Sequence, residues 1–396
     1  MLPLLLLTLA TAAGPTMQAQ TLSGETVAGS LVELSGQQIG LDTPSGRVTL
    51  DIEKLASLTP ADAKPMATPE GAVWVELVDG SSLVGTAVTT TGDKAQLTLA
   101  GGRSIELPSH DVLSVRLQAQ VDATAAEWAR LQESEATSDL LVVRKGASLD
   151  FHRGILREIT PAVVRFEVDG EVLPVKREKV FGLVVYQAGV HNLPQSICHI
   201  ADTSGSVWDA RSISLADHQL QWTTPLGLEI KRPWSDLAKI DFSQGKIVYL
   251  SDLKPDSVEW TPFLGSAKTI ASRAEFFRPR TDQSLRGGPL ELDGKSYQRG
   301  LALHSRTTMV YRLPGRFHRF KAIAGIDDRV RPRGNVQLVI RGDDQTLLKV
   351  TVAGSDPPQA IDVDLNGVRR LTILVDFGED LDVADHLDLC DARIVK

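Results

Sequence analysis

"NVQLVIRGDDQTLLKV", residues 335–350, alternates apolar and polar side chains on either side of a Gly342-Asp343 turn. A period of two is the pattern of a strand with one buried face. "AIDVDL" at 360–365 repeats it. Working outward from these segments, strands are expected at 308–313, 318–326, 335–341, 346–352, 360–365, 370–376 and 389–395, with further turns at Pro314-Gly315 and Asn366-Gly367. Seven or eight strands at this spacing suggest a β-sandwich of jelly-roll type, ending at Lys396.

Upstream the chain repeats itself. Four segments each carry a turn glycine after a short apolar run, at Gly24, Gly80, Gly146 and Gly205. A second turn glycine follows in each, at Gly46, Gly102, Gly170 and Gly227. The four segments also close alike, with "KLASL", "DVLSV", "KVFGL" and "DLAKI". Strand periodicity inside each unit, with hairpin turns such as Asp169-Gly170, predicts about five short antiparallel strands, enough for a small closed barrel. These units resemble small SH3-like or Sm-like barrels. They are placed at 20–60, 72–118, 139–188 and 197–244, and barrels this small are expected to pack on their sequence neighbours. "VDATAAEWARLQESEAT", 121–137, predicts the one helix, with Ala125, Trp128 and Leu131 on one face and a role in spacing or clamping barrels. Residues 245–284, with aromatics and prolines, are too apolar for a free linker and read as an ordered connector. The fold class is therefore mainly β: tandem small barrels, one short helix, then a sandwich at 285–396.

Composition bounds the function. The 396 residues are 42% hydrophobic and 23% charged, with a net charge of −8. This excludes a mainly disordered chain and an integral membrane protein, and gives no reason to expect nucleic acid as partner. Residues 2–13 are almost purely apolar yet short for a membrane span, so 1–19 reads as an export leader, cut after Ala13 or Ala19. The expected location is periplasm, cell surface or medium. Two cysteines, Cys198 and Cys390, exclude a disulfide framework and a cysteine-built zinc site, and read as buried free thiols.

"YQRGLALHSRTTMVYRLPGRFHRFKAIAGIDD" (297–328), "GNVQLVIRGDDQTLLKV" (334–350) and "ADHLDLCDARI" (384–394) resemble, in order and spacing, the NPCBM family of carbohydrate-binding modules. The resemblance implies a galactose-binding-like sandwich that holds sugar through loops at one end. On its pattern, His304 follows the Gly-Leu turn, Asp327 closes the "GID" strand, and Asp385, His386, Asp388 and Asp391 form the closing acidic segment. Tyr297 joins His304, Asp327, Asp385, His386 and Asp388 as a candidate ligand residue. The two histidines either donate to sugar hydroxyls or satisfy buried loop carbonyls. Leu389 stands where the family pattern has tryptophan, and no tryptophan follows Trp260. Only Tyr297, Tyr311, Phe317, Phe320 and Phe377 are then left to offer an aromatic face to a pyranose.

The acidic run Asp376, Glu379, Asp380, Asp382, Asp385, Asp388 and Asp391 supplies oxygens of the kind calcium takes, for a structural ion only, although the helix–loop calcium spacing is absent. No other cofactor is expected. Twelve arginines between 273 and 333, including Arg329, Arg331 and Arg333, read as a surface balancing that acidic run, or as a contact for acidic groups. No nucleophile elbow, zinc-helix, P-loop or dinucleotide motif occurs. The sequence thus points to an exported, non-catalytic carbohydrate-binding protein. The alternative is a surface or periplasmic scaffold whose β modules bind other proteins, and a hydrolase without recognisable motifs is the third reading.

Overall fold

A computed structural model describes residues 14–134, 137–189, 192–216, 219–263, 276–314, 317–379 and 381–396. It divides into two compact units, Met1–Gln244 and Gly245–Lys396. The chain is mostly strand.

In the first unit the four repeats share one plan. Barrel 1 runs through Thr16–Thr21, Thr26–Leu34, Gln38–Thr43, Gly46–Asp51, a 3-10 turn at Ile52–Lys54, and Leu55–Pro60. Its last strand returns to pair with its first. Barrels 2 and 3 repeat this closure, with Val112–Arg116 on Val73–Leu77 and Val180–Val184 on Asp139–Lys145. In barrel 4, Leu237–Asp241 closes on Cys198–Asp202. All eight turn glycines singled out by the spacing have positive φ, which an L side chain adopts only at a cost.

The barrels join through the very segments that looked alike. Ser114 and Val115 of barrel 2 pair with Val184 and Leu183 of barrel 3, last strand to last strand. Barrel 1 does the same with barrel 4, through Leu58↔Ile240 and Ser57↔Asp241. Barrels 4 and 2 meet at Val207↔Ser82, where Val84 N–H donates to Ser206 Oγ (3.0 Å). The order in space is therefore 1–4–2–3: barrels 2 and 3 pack as sequence neighbours, as expected, whereas barrel 1 joins barrel 4 instead of barrel 2. Each closing strand is an open edge once its barrel is closed, and pairing two such edges satisfies both. One apolar core runs through all four, from Met17 to Phe242.

The helix spans Asp122–Gln132, shorter than expected. It clamps barrels 2 and 3: Gln132 Nε2 donates to Ser114 Oγ (2.8 Å), and Glu127 accepts from the Leu149 N–H (2.8 Å). Trp128 packs edge-on against Phe181 at 5.5 Å. A Cβ at Gly182 would stand 2.6 Å from the Trp128 ring, so the glycine makes room for it.

A leader ending at Ala19 does not fit this fold. Thr16–Thr21 is the first strand of barrel 1, paired on both sides, with Met17 and Ala19 fully buried. Removing it would open the barrel. Residues 1–13 lie outside the described residues. Both cysteines are buried, and neither is in a disulfide.

The second unit is a sandwich of two antiparallel sheets. One orders Arg280–Thr281, Gly300–His304, His386–Val395, Arg319–Ile326 and Gln359–Asp364. The other orders Ser257–Trp260, Thr307–Arg312, Arg370–Phe377, Asn335–Gly342 and Gln345–Ala353. Leu303, Met309, Tyr311, Phe320, Leu338 and Ile373 share the core between them. The seven strands expected from periodicity are all present, with ends shifted by at most a few residues. The sandwich begins earlier than 285. Ile247–Tyr249 pairs with Arg393–Val395, and Ser257–Trp260 forms the outer strand of the second sheet, so the supposed connector supplies edge strands.

Candidate functional site

Seven strand ends meet at one end of the sandwich: the C-terminal ends of 257–260, 300–304, 319–326 and 370–377, and the N-terminal ends of 307–312, 335–342 and 386–395. Strand alternation decides which side chains reach it. Along 386–395, Leu387 and Leu389 enter the sandwich core, while His386, Asp388 and Cys390 take the opposite face. The adjoining strand matches, with Leu301 and Leu303 inward and Ala302 and His304 outward.

This placement brings most of the expected residues together as a buried polar floor. His304 and His386 are cross-strand partners, 2% and 5% exposed, with ring centroids 5.6 Å apart. His304 Nδ1 lies 2.5 Å from the Ser305 carbonyl oxygen, and the Thr307 hydroxyl donates to the His304 carbonyl (2.6 Å). His304 thus has a loop carbonyl within hydrogen-bond reach of its Nδ1. Asp385, fully buried, accepts from Ser305 Oγ (2.5 Å) and from the Asn335 N–H (3.1 Å), tying three loops together. Asp327, 1% exposed, accepts from the Arg329 N–H (2.8 Å), and its own N–H donates to the His386 carbonyl (3.0 Å).

Burial disfavours charge here. His386 is pushed down to about 4 by burial first, then by His304 and Arg286. His304 is lowered by burial, with the Ser305 carbonyl and Asp382 opposing. Both rings are neutral at pH 7. Asp388 is pushed up to about 8, chiefly by burial and then by the Asp327 charge. The Glu291 amide and Arg329 oppose this shift, but neither Asp388 carboxyl oxygen has a partner at hydrogen-bond geometry among the described residues.

Tyr297 belongs elsewhere. It ends the Lys295–Tyr297 strand and sits, 8% exposed, in a small core with Leu285, Leu290, Leu292 and Cys390. Leu389 is likewise a core residue, paired with Leu301 and fully buried. The tryptophan absent there is therefore not missing from the exposed end. Asp391 turns at positive φ beside Arg299, whose carbonyl accepts its N–H.

The aromatic surface at this end comes from residues that periodicity did not single out. Phe277 stacks on His304 with ring centroids 3.8 Å apart and an interplanar angle of 34°. Trp260 packs on Phe277 at 5.4 Å, its indole N–H donating to the Ser305 carbonyl (3.1 Å). Phe276, 56% exposed, stands edge-on to Phe277 at 5.0 Å. Phe263, 40% exposed, stands edge-on to Phe377 at 5.1 Å. Leu381 and Val383 are also exposed, on the loop that leads to Asp385. The only sequence cue was the aromatic richness of the stretch before 285.

Several members of the two charge clusters are engaged within the fold. Arg329 donates to the Gly287 and Pro289 carbonyls, and Arg331 to those of Gly354 and Asp356 (2.8 and 3.1 Å), so both staple loops. Asp376 faces Arg306 at 3.3 Å, Asp385 is consumed by Ser305 and Asn335, and Asp380 lies outside the described residues. Among the described residues no three His, Cys, Asp or Glu side chains are grouped to hold a metal.

Residues 246–395 match the family model of the NPCBM/NEW2 domain. The C-terminal unit is an NPCBM/NEW2 domain. Its start at 246 agrees with the strand at Ile247–Tyr249 and places Trp260 inside the module. A Renibacterium salmoninarum protein named as an endo-alpha-N-acetylgalactosaminidase is 32% identical over 90 residues, 22% of this chain, and the match spans 6% of that relative's length. The CBM51 module of a Clostridium perfringens family 95 glycoside hydrolase, solved with methyl-galactose, is 22% identical over 38% of this chain and 99% of that one, with a TM-score of 0.32. The tandem CBM51 modules of a Streptococcus pneumoniae family 98 glycoside hydrolase are 11% identical over 96% and 88% of the two chains, with a TM-score of 0.31. The NPCBM/NEW2 assignment supports a carbohydrate partner. No helix among the described residues is long and apolar enough to cross a membrane.

Proposed function

We propose that the NPCBM/NEW2 domain holds a glycan against the aromatic group Trp260, Phe276 and Phe277, and that the protein acts as an exported, non-catalytic carbohydrate-binding protein. The stacking of Phe277 on His304 carries this reading. It fixes an aromatic group at the loop end, with Phe276 left open beside it. A pyranose offers an apolar C–H face to such rings, and its hydroxyls need polar groups around the rim. His304, His386 and Asp385 act beneath as the support that orients the loops, rather than as the groups that touch sugar. Export rests on the apolar stretch 2–13, and with barrel 1 beginning at Thr16 the cut belongs after Ala13.

A glycan array followed by calorimetry on the full chain tests the proposal, with methyl-galactoside among the probes. Saturable binding that falls about tenfold or more in Phe276→Ala, an exposed position whose loss leaves the core intact, is the expected result. Absence of binding to any glycan at millimolar concentration, or binding indifferent to Phe276→Ala and Trp260→Ala, would overturn it.

A further inference from the structure

The junction of barrels 2 and 4 contains a second polar site. Its centre is Arg232, at the end of the Glu229–Arg232 strand, a residue that sequence reasoning did not mark. It is 9% exposed; its backbone pairs with Leu220, and its guanidinium lies within the charges of Asp202 and Asp236 without reaching hydrogen-bond distance of a described side chain. A guanidinium carries five N–H donors, and those of Arg232 open onto a cleft rather than onto a protein acceptor. Native structures rarely keep such a group without a reason.

Arg232 lines a cleft of about 220 Å³, together with Met66, Leu99, Gly101, Arg103, Asp202, Thr203, Ser204 and Asp236. Arg103, exposed, reaches across from barrel 2 and spends one N–H on the Lys231 carbonyl (3.0 Å), leaving its other donors at the cleft. The two acids there act on Arg232 through their charge but not through a hydrogen bond. Asp202 Oδ1 accepts from the Ser204 N–H, the Ser204 hydroxyl and the Ser206 N–H (3.0, 2.6 and 3.0 Å), and Oδ2 from the Trp208 indole (3.4 Å). Asp236 accepts from the Ser235 hydroxyl (3.2 Å). Both acids hold barrel 4's own turns, and neither reaches ion-pair distance of Arg232.

We infer that this cleft binds a carboxylated sugar, a uronic acid, with its carboxylate on Arg232 and Arg103. The planar fork of an arginine matches a carboxylate two bonds at a time. Asp202 and Asp236 already offset the two arginines, so the cleft favours a monoanion held by directed guanidinium hydrogen bonds over a phosphate dianion, which would meet two acids at close range. The remaining lining suits a polyhydroxylated body, with the Thr203 hydroxyl, the Gly101 backbone and only Met66 and Leu99 apolar. The site is independent of the sandwich, and its success or failure does not bear on the loop-end reading.

Calorimetry of the full chain with D-glucuronate, D-glucose, acetate, inorganic phosphate and a short peptide with a free C-terminal carboxylate tests the inference. D-glucuronate is expected to bind saturably, with D-glucose and acetate each at least about tenfold weaker. Arg232→Gln and, separately, Arg103→Gln are expected to weaken glucuronate binding about tenfold while circular dichroism stays unchanged. Arg103 is exposed, so its variant serves where Arg232→Gln does not fold. Three results would each overturn the inference: no saturable glucuronate binding, glucuronate binding unaffected by Arg103→Gln and Arg232→Gln, or peptide or phosphate binding as tight as glucuronate.

Discussion

His304 and His386 face each other across adjacent strands with rings 5.6 Å apart, each nearly sealed from water and each neutral at pH 7. A proton added to either ring has neither solvent nor an ion-pair partner among the described residues to receive it. The folded His386 titrates near 4, below the ordinary value of about 6.5, so the unfolded chain binds more protons between those values. The stability this residue contributes is complete above about pH 6.5 and is lost as pH falls towards 4. The loss is on the order of 3 kcal/mol. Thermal unfolding followed from pH 7 to 4 should show a falling midpoint for the second unit, flattened in His386→Gln.

Asp388 acts with the opposite sign. Its folded carboxyl titrates near 8, above the ordinary carboxylate value, so the folded state holds a proton that the unfolded state has released. Its contribution is complete below about pH 4 and falls as pH rises to 8. Asp388→Asn, which mimics the protonated acid, should unfold at a higher temperature than the parent at pH 8 and at nearly the same temperature at pH 4. A parent with no loss of stability between pH 6.5 and 8, where His386 no longer titrates, would contradict the buried-acid account.

Gly182→Ala places a methyl 2.6 Å from the Trp128 ring and 2.9 Å from the Val115 carbonyl. Overpacking of this kind costs about 1–3 kcal/mol. The penalty should shrink in a Trp128→Ala background, because the two changes share one contact. Urea unfolding of the four-variant cycle measures the coupling, and additive effects would show that the helix does not clamp this strand.

A chain beginning at Gly14 should fold its first unit, while one beginning at Gln20 should not, because the latter lacks most of Thr16–Thr21 with Met17 and Ala19. Protease resistance of barrel 1 and the amplitude of the unfolding transition distinguish the two. Equal stability would mean that this strand is dispensable.

The sequence revealed what repeats locally. Glycines held at positive φ mark turns, and their spacing at Gly24/Gly46 and Gly80/Gly102 was visible because each hairpin forms within a few residues. Alternation exposed 335–342 and 359–364, where one face is buried along the strand. It could not show Ser257–Trp260, an edge strand with little burial that owes its place to Thr307–Val310, some fifty residues later. Tyr297 looked like a loop aromatic, but the hairpin at Leu290–Leu292 and Lys295–Tyr297 folds it into a small core. Phe277 carried no motif, since its value comes from lying over His304, a contact made only in three dimensions. Arg232 was one basic residue among many until its burial in a cleft, without a hydrogen-bonded side-chain partner among the described residues, set it apart.

The spatial order 1–4–2–3 has a consequence for how such a protein comes to exist. An ordinary repeat array lengthens by copying a unit onto its end, and each copy meets its parent. Here the last repeat lies between the first and the second, and its closing strand is already committed to Leu58 and Ser57. A fifth copy appended after residue 244 would find no free closing strand to meet. The closing strands pair as nested couples, 2 with 3 inside 1 with 4, so loss or gain of a single repeat leaves one closing strand without its mate.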